Sequence, residues 1–147
     1  MLHHALQLTN LAATWALVGL IWTIQVVHYP GFRYVGADRW TDFHGFHVRG
    51  ITYVVLPLML AELVAAGWLW LERPADWRYW LPFLCVVLIW ASTFLVSVPL
   101  HDRLAGGVHA DFTEQLILTN WIRTALWTLR AGLVTGVFWK LYLASVG

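Results

Sequence analysis

Four long apolar stretches dominate this chain, and they decide its solvent before any motif is read. A helix that crosses the hydrocarbon core of a bilayer needs roughly 20 mostly apolar residues. Four segments reach that length, at about 6–29, 43–71, 77–98 and 112–143. Of the 147 residues 60% are hydrophobic and 12% charged, too little charge to clothe a soluble domain of this size. Most charges sit in the short stretches between the apolar runs. Many of the eleven tryptophans and five tyrosines fall near the ends of those runs, where amphipathic rings favour the headgroup region. Short connections place each helix beside the last. The expected fold is therefore all-α, one domain over 1–147, an integral membrane antiparallel four-helix bundle whose first partner is the lipid bilayer.

The stops follow from local chemistry. Pro30-Gly31 ends the first stretch, since the residue before a proline is pushed away from helix. Pro57 is a kink inside the second, and Glu72-Arg73-Pro74-Ala75-Asp76 closes it. The third stops near Pro99, followed by the polar run His101-Asp102-Arg103 and Gly106-Gly107. With no Lys or Arg ahead of its apolar stretch and no small-residue cleavage site, the N-terminus reads as a retained helix and not a signal peptide. Cys85 lies inside an apolar run, and one cysteine forms no intrachain disulfide. A net charge of +1 gives none of the concentrated basic surface that nucleic acid requires. Arg33, Arg39 and Arg103 on one side balance Arg73, Arg78 and Lys140 on the other, so loop charge does not set the orientation.

The up-down topology sorts the histidines. His28 ends the first helix, His44 and His47 begin the second, His101 follows the third and His109 precedes the fourth. All five are expected at one membrane face, although they are spread over the sequence. His44 and His47, three residues apart, project from nearly one side of their helix. Stripes of Asn10, Thr14, Ile21, Gln25 and His28 on the first helix, and of Trp90, Phe94, Ser97 and His101 on the third, point to the interior. Asp102, Asp111 and Glu114 sit on the same side and would complete a mixed imidazole and carboxylate shell, which suits iron, zinc or copper. With no thiolate there, iron–sulfur clusters are excluded. The blander reading of each histidine is a hydrogen bond to headgroups, water or a loop carbonyl.

Glu62 lies eighteen residues after His44, on the same face but about 27 Å deeper. An ionisable group at that depth is costly unless paired. Asn120, Arg123, Trp127 and Arg130 share one face of the fourth helix, and Arg130 reaches a similar depth, so a Glu62–Arg130 pair is expected. Arg123 and Asn120, nearer the histidines, are expected to hold an anionic or carbonyl-bearing ligand.

The stretch Val98-Pro99-Leu100-His101-Asp102-Arg103-Leu104, followed by Asn120-Trp121-Ile122-Arg123-Thr124, resembles the second half of the anthrone-oxygenase-like family of small four-helix bacterial membrane proteins. The resemblance covers the last third of the chain. Where those relatives tend to show asparagine after the proline, this chain has His101. The resemblance implies a four-helix membrane fold, the bacterial inner membrane, and oxidation of a lipophilic substrate.

Together these readings lead to the expectation of a membrane metalloprotein with redox activity, an oxidoreductase or oxygenase for a lipophilic or quinone-like molecule. His28, His44, His47, His101 and His109 are the candidate ligands, with Asp102 or Asp111 as further donors. Three alternatives stay open: a b-type haem held by two of the histidines, an accessory subunit whose polar stripe joins helices, and a small transporter or proton path using Glu62 and Arg130. Four helices enclose a modest interior, which is compatible with a homo-oligomer or a larger membrane complex.

Overall fold

Four helices account for nearly all of residues 1–146, the part that the computed structural model describes; Gly147 lies outside it. They are α1 (Leu2–Tyr34), α2 (Ala37–Glu72), α3 (Trp77–Leu104) and α4 (Ala110–Val146). No strand occurs among the described residues. Each helix packs on its neighbour in sequence, and α4 closes the ring against α1, giving the antiparallel bundle that short connections impose.

Each end is set by a local device. Asp76 caps the start of α3, its carboxylate accepting the Arg78 backbone N–H at 3.0 Å and the Arg78 guanidinium at 2.5–2.9 Å. These hydrogen bonds from Arg78 hold the Asp76 carboxyl below the usual carboxylate range. Gly107, at φ 147°, makes the turn after α3, a conformation that residues with a Cβ rarely adopt.

The prolines do not end their helices as the sequence suggests. Helix α1 runs on past Pro30-Gly31 and α3 past Pro99. In both, the turn before the proline widens to a π-turn, at Ile24–His28 and Thr93–Ser97. The Tyr29 N–H bonds the Ile24 carbonyl, and the Val98 N–H the Thr93 carbonyl, each five residues back. Proline has no N–H for the carbonyl four residues behind, and its ring crowds that carbonyl. The wider turn spares Val26 and Leu95 that collision. It also shifts the helix phase, so Phe94, expected to face inward, is 56% exposed. Ser97 beside it is buried, as are Asn10, Thr14, Ile21 and Gln25 on α1. Helix α2 continues through Pro57 from Ala37 to Glu72, starting earlier than its apolar pattern does.

Three helices, α1, α2 and α3, are long and apolar enough to cross a membrane. Helix α4 falls short of that mark because Asn120, Arg123 and Arg130 lie in its middle. All three of those side chains are buried, while Leu118, Trp121, Ile122 and Leu129 are exposed on its outer face.

At the histidine end, Phe32, Trp40, Leu100, Leu104 and Leu116 form a buried cluster. Trp40 is fully buried, and its indole donates to the Leu104 carbonyl at 2.6 Å, tying the start of α2 to the end of α3. Trp40→Phe removes this tie, leaving the carbonyl with the Gly107 N–H at 3.3 Å. We expect a loss of about 1–2 kcal/mol, read as a lowered midpoint in unfolding of the detergent-solubilised protein.

Candidate functional site

Four of the five candidate histidines meet at one end of the bundle. His28 Nε2 lies 2.7 Å from His47 Nδ1, and His44 Nε2 lies 3.2 Å from His101 Nδ1. The two pairs interlock, with the His47 ring centroid 5.4 Å from that of His101 and 6.4 Å from that of His44. Each pair joins α2 to another helix, α1 in one case and α3 in the other. The π-turns stand directly before Tyr29 and before the turn that carries His101, so the widening that accommodates proline also sets the angle of these rings.

Aromatic side chains wall the cluster. The His44 ring stacks on Trp40 at 5.5 Å, and Phe32 packs edge-on to His28 and His47 at 5.3 and 5.2 Å. His44 and His47 are buried. Inside this wall His47 Nε2 is buried with no hydrogen-bond partner. An orphaned imidazole nitrogen in such a place is uncommon.

The carboxylates and the fifth histidine stand apart. His109 is exposed, and its ring rests on Phe112 at 5.5 Å. Asp111 is exposed, and Glu114 is held by Arg33 through two bonds of 2.6 Å. Asp102 reaches the rim of the cavity described below but is exposed. Among the described residues, no three His, Cys, Asp or Glu side chains already close around a single point as metal ligands do; the rings are engaged in pairs.

Tyr29, which looked from its place in the sequence like one more interfacial aromatic, is the hub of the site. Its hydroxyl lies 3.0 Å from His101 Nε2 and accepts from Arg123 Nη2 at 3.3 Å. A guanidinium only donates. The assignment that gives every donor an acceptor therefore runs Arg123 to Tyr29, Tyr29 to His101 Nε2, and His101 Nδ1–H to His44 Nε2. Arg123 also donates to Asn120 Oδ1 at 2.5 and 3.0 Å, and Asn120 donates to Gln25 Oε1 at 2.8 Å. One polar layer thus spans α1, α2, α3 and α4.

Beside this layer lies a cavity of about 390 Å³. Its body is apolar, built by Leu17, Ile21, Ile24, Val55, Met59 and Trp90, and its polar end presents Tyr29, His101 and Arg123. The second half of α3 packs on α4 and parts from α2 before His44–His101 and Trp40–Leu104 join them again at the end, so the cavity is flanked by the exposed side chains of Thr52 and Leu56 on α2 and Phe94 and Val98 on α3.

Deeper, the expected pair is present. Arg130 Nη1 lies 2.8 Å from Glu62 Oε1, and both residues are fully buried. Trp127 Nε1 and Thr14 Oγ1 each donate to Glu62 at 3.1 Å. Arg130 further donates to Asn10 Oδ1 at 2.6 Å, to the Pro82 carbonyl at 3.2 Å and to Thr14. Between this network and the histidine layer lie Leu17, Val18, Ile21, Met59 and Ile89, a buried apolar cluster, and none of the hydrogen bonds described joins the two.

Comparison of the chain with models of protein families, with curated proteins and with solved structures gives no match.

Proposed function

We propose that this chain is an integral membrane protein of four spanning helices that holds a transition metal through His28, His44, His47 and His101. We further propose that it acts as an oxidoreductase or oxygenase on a lipophilic or quinone-like substrate. The membrane part is supported by inverted polarity. Gln7, Asn10, Gln25, Asn120, Arg123 and Arg130 are buried, while leucines, valines and tryptophans cover all four outer faces. Water would select the opposite arrangement. With its two central arginines turned inward, α4 presents an apolar face to lipid and needs no high mean hydropathy to span.

The observation that carries the metal reading is His47 Nε2, a buried imidazole nitrogen without a partner on the ring that neighbours the other three histidines. The donor set suits iron, copper or zinc. Metal binding replaces protons on its ligands, and each of the two imidazole pairs shares a proton that an ion can replace. With an ion on His101 Nδ1, the proton of that ring sits on Nε2 and is donated to the Tyr29 hydroxyl 3.0 Å away, the outer-sphere support that ligating histidines usually have. The four rings touch one another directly, which favours an ion over a haem held between two of them.

Bound iron or copper would supply Lewis acidity and electron transfer, with dioxygen as the oxidant, whereas zinc would supply Lewis acidity alone. The protein's own share follows from the geometry. The apolar cavity excludes water and takes a lipophilic body, its flank between α2 and α3 opens toward lipid, and the Arg123 guanidinium orients an oxygen of the substrate beside Tyr29 and His101. The resemblance of Val98–Leu104 and Asn120–Thr124 to the anthrone-oxygenase-like family points to the same chemistry, and with it to a bacterial inner membrane.

Metal analysis of protein purified without chelator tests this reading. We expect iron, copper or zinc in a fixed ratio to the chain, unchanged in His109→Ala and Asp111→Ala. Protein that stays metal-free after supplementation with all three ions would overturn it.

A further inference from the structure

Helix α4 carries two buried arginines seven residues apart on one face, and they are treated differently. Arg130 has its carboxylate in Glu62. Arg123, only 7% exposed, has none: its hydrogen bonds go to the neutral Asn120 amide and Tyr29 hydroxyl, and among the described residues no ion pair includes it. Its Nη1 donates to no protein atom among those bonds. Asp102 lines the same cavity, but it is exposed and makes no ion pair with Arg123. A buried charge is stable only when paired, and the guanidinium lines the polar end of a large apolar cavity.

We infer that this cavity binds a lipophilic organic acid, an apolar body with one oxygen-centred anion, whose charged head docks on Arg123 beside Tyr29 and His101. The inference rests on the reading of the cavity as the substrate site but not on the metal. A carboxylate or phenolate supplies the missing counter-charge and takes parallel N–H bonds from the guanidinium. The body of the ligand lies along Leu17, Ile21, Val55, Met59 and Trp90, entering between α2 and α3 with its head directed inward. Neutral lipids of the same length fill the apolar part but leave Arg123 unpaired, so the site discriminates by charge. A volume of about 390 Å³ falls within the range of small-molecule pockets.

The test uses metal-free protein in nanodiscs of phosphatidylcholine, with empty nanodiscs as the blank, and compares dodecanoate with dodecan-1-ol by titration calorimetry. The acid is expected to bind at least tenfold more tightly than the alcohol. Arg123→Gln is expected to remove that preference, and Arg123→Lys to retain most of it. Equal affinities for acid and alcohol in the parent protein, binding of neither, or an acid preference that survives Arg123→Gln would each overturn the inference. Should Arg123→Gln fail to fold, the comparison in the parent protein decides alone. Failure of the metal reading is separate, since it appears as absent metal with acid binding intact.

Discussion

Replacing Glu62 by glutamine, or Arg130 by methionine, is expected to cost the bundle about 3–5 kcal/mol, the penalty for leaving one member of a buried ion pair without the other. The expectation follows from the surroundings. Glu62 receives Arg130, Trp127 and Thr14, and Arg130 donates also to Asn10 and the Pro82 carbonyl, so all four helices converge on one charge pair. Neither group has water to retreat to, since both are fully buried. Removing both partners should cost less than the sum of the single changes, because no lone charge remains. A double-mutant cycle measured by denaturant unfolding in mixed micelles reads this as a coupling of at least about 2 kcal/mol. Strict additivity would mean that the pair does not act as one unit.

The second large effect belongs to His47. Its ring neighbours those of His28, His44, His101, Tyr29 and Phe32, and its Nε2 is a buried nitrogen without a partner. His47→Ala should weaken metal binding by well over 100-fold, beyond the 10–100-fold typical of an outer-sphere partner. Tyr29→Phe, which removes the hydroxyl between His101 Nε2 and Arg123 Nη2 but none of the four imidazoles, should fall within that range of about 10–100-fold. Competition titration against a chelator of known affinity separates the two. An unchanged affinity in His47→Ala would remove this residue from the site.

Much of the arrangement was legible in the residues themselves. Helical periodicity and the length of a bilayer crossing gave four helices and, Phe94 apart, their inside faces, and depth counted at 1.5 Å per residue matched Glu62 to Arg130. The topology brought His28, His44, His47 and His101 together because each sits within a helix end, where direction follows from phase. His109 and Asp111 failed for the same reason: they lie where the connection meets the first turn of α4, outside the packed ring, so proximity in topology did not become proximity in space. Glu114 was already committed to Arg33. The prolines misled because sequence rules treat Pro30 and Pro99 as stops, whereas a helix held on several sides by its neighbours absorbs the lost hydrogen bond in a π-turn and continues. Tyr29 was hidden by its type, since a tyrosine at the end of an apolar run reads as an interfacial ring. Its place one residue after His28 and one before Pro30 was the only signal of its role.

The central claim is that imidazoles from three helices hold one metal centre, and X-ray absorption at the edge of the bound metal tests it most directly. We expect three or four imidazole nitrogens around the metal, with the outer-ring scattering that imidazole gives, reduced by one such ligand in His101→Ala and unaltered in His109→Ala. A shell of oxygen or sulfur ligands, or a spectrum that does not change in His101→Ala, would contradict it.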